Sequence, residues 1–332
     1  MLFSGLLAKN KPVNLIIKDY TIRLLELKQK DPLTIKSHKE RTLPHGVILN
    51  GVIQDAETLG LILDECAADW GIKGRPVRFL VPDPYIVIRQ IKIPGSLADD
   101  EIKGHLFMEL GASIHLPFED PVFDFILTGK EGDEKIILLF AAPEPVVRQY
   151  AELLEEARLR PVAADISPLS IYRLFHAAGQ TKPDDHLLLV QADLDMMNVS
   201  VFHKDRPVFM RHLKMDMDGT EWEFTNNRQG LQEIKWGGAP EELFGQLEDA
   251  ATEVERIINF YRYSLNQGRE GVTAILLNGD HPELSFIEMR LAERFELPVF
   301  RINQHNVQAE GADDILPSSF YTAAGLALKE VL

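Results

Sequence analysis

The chain has 332 residues, enough for about two domains at ~150 residues each. Its 35 basic against 51 acidic residues give a formal charge of −16, which repels phosphate at long range and excludes general nucleic-acid or anionic-membrane binding. Hydrophobic residues at 45% and charged ones at 26% exclude a disordered, collagen-like or disulfide-framework chain.

The longest apolar runs, such as Ile136 to Ala142, fall short of the ~20 residues a membrane helix needs. Met1 to Leu7 is apolar but short and lacks a basic start, so no signal peptide is expected. Val13 to Ile17 and Ile22 to Leu27 predict two strands around the turn Lys18-Asp19-Tyr20-Thr21. Asp55 can cap a helix running to about Trp70, with Leu59, Ile62, Leu63 and Cys66 on one face and Gly71 as its stop. The single cysteine, Cys66, cannot form an internal bridge and is expected as a buried reduced thiol. Val77 to Val81 and Tyr85 to Ile91 read as strands around Pro82-Asp83-Pro84. A helix opening at Ser96 or Asp99 presents Ile102, Leu106, Met108 and Leu110, and Leu116-Pro117-Phe118 breaks it. Val122 to Leu127 and Lys135 to Ala141 predict a hairpin around Gly129 to Gly132. Pro143 then leads into a helix bearing Val146, Val147, Tyr150, Leu153, Leu154 and Ala157.

The pattern restarts with Leu187 to Val190, Asn198 to Phe202 and Val208 to His212, a meander with turns at Asp193-Leu194-Asp195 and Lys204-Asp205-Arg206. Met215 to Gly238 has little periodicity and predicts a flexible surface excursion. Ala251 to Leu265 is the strongest helix, with Val254, Ile257, Ile258, Tyr261 and Leu265 in one stripe. Ala274 to Leu277 predicts a buried strand, Pro282 opens a helix carrying Leu284, Ile287, Leu291, Ala292 and Phe295, Val299 to Ile302 predicts a strand, and a short helix covers Ala323 to Leu332. Two halves that each open with a meander predict a duplicated α/β protein with a central cleft.

Charge is unevenly spread. Lys9 to Arg41 holds nine basic and four acidic residues, a local +5 against −21 elsewhere, which reads as solvated strand edges or as a basic face beside a membrane or a membrane partner's tail. No nucleophile-elbow, zinc-protease, P-loop or dinucleotide fingerprint occurs, and the ten histidines show no metal-ligand spacing. His203 and His212 read as edge-strand residues, and Asp193 and Asp195 as carboxylates that cap their own turn.

The order of several segments resembles the PilM family of type IV pilus assembly proteins, actin-like relatives of the division protein FtsA. The matching stretches are Ile22 to Leu27; Leu43-Pro44-His45-Gly46-Val47-Ile48 with Gly51-Val52-Ile53; Val81-Pro82, Arg89, Ile93-Pro94, Glu109 and Leu116 to Asp120; Glu255 to Tyr261; and Leu276-Leu277-Asn278-Gly279-Asp280. The resemblance implies an actin-like duplicated α/β fold, two lobes around a cleft, with an FtsA-type inserted subdomain. It divides the chain into 1–76 as the first part of lobe I, 77–165 as the inserted subdomain, and 166–332 as the rest of lobe I with lobe II.

Nucleotide-binding members of that fold carry small residues at the phosphate turns, so that backbone N–H groups can approach a phosphate. Here Ile16 stands where a carboxylate is expected, and Lys18 stands where a glycine is expected, followed by Asp19 and Tyr20. The second turn reads Gln191-Ala192-Asp193, and only Gly279, after Asn278, remains of a third-turn glycine pair. Lys18, Asp19, Gln191, Asp193, Asn278 and Gly279 are thus degenerate nucleotide-turn positions. No cofactor, resident metal or catalytic residue is expected; ATP with magnesium stays an alternative, because a lysine at a phosphate turn binds anions.

The resemblance implies a cytoplasmic scaffold that holds the short N-terminal tail of a PilN-like membrane partner in a groove beside the inserted subdomain, with Arg89, Leu116, Pro117 and Phe118 next to it. It would sit on the cytoplasmic face of the inner membrane through its partners, bind no nucleic acid, and leave a homo-oligomer open. The competing readings are an actin-like ATPase and a filament-forming protein.

Overall fold

The computed structural model describes residues 11–226, 232–303, 307–309 and 316–330. The Met1 to Leu7 stretch, Lys9, Asn227, Gly230 and the last two residues lie outside them. In the first half, β1 (Val13–Lys18), β2 (Thr21–Gln29) and β3 (Thr34–Thr42) form an antiparallel meander, followed by the short pair β4 (Ile48–Leu49) and β5 (Val52–Ile53). Then come α1 (Ala56–Asp69), β6 (Pro76–Leu80), β7 (Val87–Pro94), α2 (Ile102–Glu109), β8 (Pro121–Glu131), β9 (Glu134–Pro143), α3 (Glu144–Glu156), β10 (Arg160–Asp165) and α4 (Ser167–Ala177). The second half runs β11 (His186–Ala192), β12 (Met196–His203), β13 (Arg206–Lys214), β14 (Trp222–Asn226), β15 (Gln232–Trp236) and α5 (Pro240–Asn259), which continues as a π-helix over Phe260–Leu265. It closes with β16 (Ala274–Gly279), α6 (Leu284–Phe295), β17 (Val299–Phe300), β18 (Gln308–Ala309) and α7 (Tyr321–Ala327).

The two halves repeat one topology. The lobe I sheet has the order β10-β6-β1-β2-β3-β18 and the lobe II sheet the order β13-β12-β11-β16-β17. In each, a meander is extended from its first strand by two parallel strands (β6 and β10, β16 and β17). Both central strands are buried on two faces, which explains their continuous apolar runs. Val13 and Leu15 face α1 and α3, while Ile16 faces α4 and α7. Leu188 and Val190 face α5 and α6, while Leu187 and Leu189 face the central helix pair. Helices α4 and α7 therefore sit between the two sheets. Their contact is close: a Cβ at Gly325 would lie 1.9 Å from the Ser170 carbonyl oxygen, so this crossing admits only glycine.

Strands β7, β9 and β8, in that order, form a separate sheet covered on one face by α2. The stretch 77–165 read as one inserted unit also supplies most of β6, together with α3 and β10, to lobe I.

Several elements differ from expectation. Met215 to Gly238 is not a featureless excursion: Met215 and Trp222 are buried, and β14 pairs with β15 in a hairpin. Helix α5 starts eleven residues before Ala251, because Pro240 sets its first turn and Leu243 and Leu247 already join the lobe II core. In α2 only Ile102 and Leu106 are buried, and Met108 is 70% exposed. β3, β10 and α4 had no counterpart in the predicted elements.

Candidate functional site

The carboxyl ends of β1, β6, β11 and β16 point into the cleft between the lobes, the end of an α/β sheet where ligands bind. The residues that follow those ends are charged. From lobe I come Lys18, Asp19 and Tyr20 at the β1–β2 turn and Asp83 after β6; from lobe II come Asp193 and Asp195 at the β11–β12 turn and Asp280 after β16.

These side chains bond to each other across the cleft. Lys18 Nζ donates to Asp193 Oδ1 at 2.7 Å and to Asp280 Oδ2 at 2.9 Å. The Tyr20 hydroxyl donates to Asp280 Oδ2 at 2.7 Å, and Arg23 Nη1 donates to the same oxygen. Arg23 Nε reaches Glu40 Oε1 on β3, and the Asp280 backbone N–H donates to Asp193 Oδ1 at 3.3 Å. Two cations and a phenol of lobe I thus converge on two carboxylates of lobe II. Further bridges flank them: Asn198 Nδ2 of β12 donates to Asp83 Oδ2 at 2.6 Å, and Phe224 of the β14–β15 hairpin stacks on Tyr20 with ring centroids 5.9 Å apart. Gln232 of the same hairpin donates through its backbone to Glu40 Oε2 (3.2 Å) and through its side chain to Thr42 Oγ1 (2.7 Å).

Electrostatics follow from burial and pairing. Burial alone would raise the Asp280 carboxyl, but Arg23 and Lys18 hold it well below the usual carboxylate range. Burial would lower Lys18, yet Asp193 and Asp280 raise it above its ordinary value. The other acids go the other way: burial pushes Asp83 up to about 7 and Asp195 up to about 6, neither with an ion-pair partner among the described residues, and raises even Asp193 despite its pairing with Lys18.

Of the six degenerate turn positions, Lys18 and Asp193 are brought into direct contact. Asp19 instead accepts from the backbone N–H groups of Asn50 and Gly51, fixing the β4–β5 turn. Gln191 and Asn278 lie side by side in the parallel register of β11 and β16, with Gln191 Oε1 accepting from Ser167 and Asn278 donating to Thr322. A Cβ at Gly279 would fall 1.8 Å from the Ala192 carbonyl oxygen, so this glycine serves strand pairing. The space left among Lys18, Asp19, Asp83, Asp193 and Asp195 is ≈ 50 Å³, against the ~300–1,000 Å³ of ordinary ligand sites. Those residues do not fit a nucleoside triphosphate: the one cation is already doubly paired and four carboxylates would face the phosphates. Tyr20, Arg23, Glu40 and Asp280 had no assigned role from sequence. The available signal was Arg23, a charge inside an apolar strand that requires a buried partner.

A second, larger concavity of ≈ 390 Å³ lies under the inserted sheet. Val122, Ile126 and Phe140 form one wall, Val81, Ile166 and Leu169 the floor, and the β12–β13 turn closes one end. Arg206 of that turn donates from Nη1 to the Thr128 carbonyl at 2.9 Å, tying lobe II to β8. Strand β8 is the sheet's edge, and Val122, Ile126 and Leu127 on it are exposed. Leu116, Pro117 and Phe118 line a separate concavity of ≈ 890 Å³ with Phe107, Leu110 and Pro121, and Arg89 Nη1 donates to the His115 carbonyl at 2.8 Å beside it. The four residues are therefore brought together, outside the groove under the inserted sheet rather than within it.

Comparison with known proteins agrees with this architecture. The family model described as type IV pilus assembly protein PilM matches residues 15–226. Among solved structures, a PilM-PilN type IV pilus biogenesis complex superposes with a TM-score of 0.76 at 18% identity, covering 96% of this chain and 98% of that one. A Bacteroides thetaiotaomicron protein with an actin-like ATPase fold and unknown function gives 0.50 at 10% identity, covering 99% and 100%. Ethanolamine utilization protein EutJ from Carboxydothermus hydrogenoformans gives 0.49 at 11%, covering 96% and 89%. No curated protein matches by sequence alone. The duplicated two-lobed fold is the actin-like one, and with the family model spanning both meanders, the chain belongs to the PilM family of type IV pilus assembly proteins.

Proposed function

We propose that this chain is a nucleotide-independent adaptor of type IV pilus assembly, without enzymatic activity, that holds an extended N-terminal segment of a PilN-like membrane partner. The segment lies along the open edge of β8, in the apolar groove floored by Val81, Ile166 and Leu169, and runs past Pro121 toward Leu116 to Phe118 and Arg89. An edge strand offers backbone hydrogen bonds and the groove offers side-chain pockets, the two components of strand-addition recognition. The observation that carries this reading is the contrast between the sites: the chain's own ion pairs occupy the cleft, while the groove is open and apolar. Membrane association then comes through the partner, at the cytoplasmic face; among the described residues no helix is long and apolar enough to cross a membrane.

The test is fluorescence anisotropy with a labelled peptide covering the partner's N-terminal segment, without nucleotide. Saturable binding is expected, and Ile126→Asp should abolish it while leaving the melting temperature unchanged, because that side chain is already 42% exposed. Deleting residues 77–165 is a poor test, since β6 and β10 of the lobe I sheet would go with them. No saturable binding at tens of micromolar, binding that survives Ile126→Asp, or binding that requires magnesium-ATP would each overturn the proposal.

A further inference from the structure

The groove under the inserted sheet and the concavity beside it are lined by consecutive residues of one strand: Val122 of β8 belongs to the first and Pro121 to the second. The groove is shut at its other end, where Arg206 of the β12–β13 turn bonds the Thr128 carbonyl of β8. A chain that starts inside the groove therefore leaves it at Pro121 and enters the ≈ 890 Å³ concavity. The lining there has two parts. Phe107, Leu116 and Phe118 make an apolar wall, with Phe107 75% exposed. The acidic side chains are Glu119, Asp120 and Glu144, and no lysine or arginine is among the lining residues.

The three carboxylates are not equally free. Glu144 pairs with Arg148 one turn along α3. Glu119 and Asp120 are exposed, and among the described residues their side chains have neither an ion-pair nor a hydrogen-bond partner. Arg89, beside the concavity, is engaged by the His115 carbonyl. The acidic loop is anchored before anything binds, because the Asp120 carbonyl accepts from the Glu144 N–H at 2.8 Å at the start of α3. An apolar wall next to unpaired carboxylates fits a long cationic side chain, whose methylene stem packs on the wall while its charge reaches the acids. The aromatic faces add to that attraction.

We propose that this concavity receives basic residues of the membrane partner, at the positions where its chain leaves the groove toward the membrane. This rests on the groove reading above and adds to it a direction and a chemistry. The bound segment runs antiparallel to β8, with its start toward Thr128 and its exit at Pro121. The exit positions lie on the membrane side of the segment, and cytoplasmic stretches next to a membrane span carry an excess of Lys and Arg. The groove alone, lined mainly by apolar side chains, accepts any extended apolar segment. The acidic exit selects a segment that continues with cations and rejects, by like charge, one that continues with acids.

The test is fluorescence anisotropy on the full chain, without nucleotide, with labelled peptides of the partner's N-terminal segment ending in Lys-Lys, Gln-Gln or Glu-Glu. The Lys-Lys peptide should bind about three- to tenfold tighter than the Gln-Gln one, the scale of two exposed ion pairs, and the Glu-Glu peptide weakest of the three. Raising the salt from about 50 to about 300 mM should shrink the preference. The double variant Glu119→Gln/Asp120→Asn should remove it at an unchanged melting temperature. Both side chains are exposed, and asparagine tolerates the left-handed backbone of residue 120, at φ 46°. Glu152→Gln, exposed on α3 but outside the lining, should keep the preference. Equal binding of the three peptides, each abolished by Ile126→Asp, would overturn this inference and leave the groove reading standing. A Lys-Lys preference that persists in the double variant would do the same. No saturable binding of any peptide, or binding that survives Ile126→Asp, would overturn both.

Discussion

Replacing Asp280 with asparagine tests the inter-lobe network at its hub. The Asp280 side chain is 4% exposed and accepts from Lys18, Tyr20 and Arg23, whose own side chain is 1% exposed. Asp280→Asn leaves Arg23 buried with Glu40 as its remaining carboxylate and Lys18 with Asp193 alone. Removing one partner of a buried ion pair costs ~3–5 kcal/mol, because the other charge stays desolvated. A chain of 332 residues loses ~0.7 kcal/mol of stability per degree near its midpoint, so the melting temperature should fall by about 4–7 °C. The control is Arg41→Ala: that residue pairs with Glu65 at the surface, with side chains 49% and 61% exposed, where a pair contributes ~0–1 kcal/mol. Calorimetry of both variants, with and without magnesium-ATP, decides the matter. A ligand at a hundred times its dissociation constant would add ~2.7 kcal/mol, or about 4 °C, and none of that shift is expected in the unmodified chain. Equal melting temperatures for the two variants, or a rise of several degrees with nucleotide, would refute the view that these side chains stand in for a bridging ligand.

Gly279→Ala should destabilise by more than ~3 kcal/mol, since its Cβ would meet the Ala192 carbonyl across the central β11–β16 pair; soluble yield and thermal melting report it. Asp83, at about 7, and Asp195, at about 6, hold protons in the folded state that the unfolded chain, near 3.8, has released. Their contribution is complete below pH 4 and is lost as pH rises toward 7, so Asp83→Asn should remove about one proton, ~1.4 kcal/mol per pH unit, from the slope of denaturant stability against pH between 5 and 7; an unchanged slope refutes it. Burial pushes the Cys66 thiol up to about 12, so iodoacetamide at pH 8 should leave the folded chain unmodified by mass spectrometry and label it in denaturant.

The duplicated architecture was legible because its central strands are apolar on both faces and their meanders recur in order. Helix α4 was not: it is eleven residues long, and its polar Ser167 and Ser170 are buried between the two sheets together with Ile171, Tyr172, Leu174 and Phe175, so its burial does not follow its polar and apolar pattern. The β14–β15 hairpin does alternate, with Trp222, Phe224, Ile234 and Trp236 between charged residues, but each strand is five residues long and glycines surround them. At the cleft, Lys18 and Asp193 were visible as departures from a glycine-lined turn. Their meaning as a contact was not, because 175 positions separate them. The groove was beyond reach for the same reason: its walls come from β8, β9, the start of α4 and the β12–β13 turn, none of which carries a distinctive motif.

The two sites are mechanically related. A groove with walls from different parts of a two-lobed protein keeps its shape only while the lobes keep their relative position. Here the inserted sheet meets lobe II through Arg206 and Thr128, and the lobes are joined by Lys18 and Arg23 on one side and Asp193 and Asp280 on the other. In a fold whose lobes close on a ligand, each binding event must supply the free energy of closure. With the closing contacts built from side chains, that cost falls on folding instead, and the segment we propose for the groove would find it already formed. Most of these charges are nearly buried, so physiological salt screens them weakly and closure persists where a surface ion pair would not hold it.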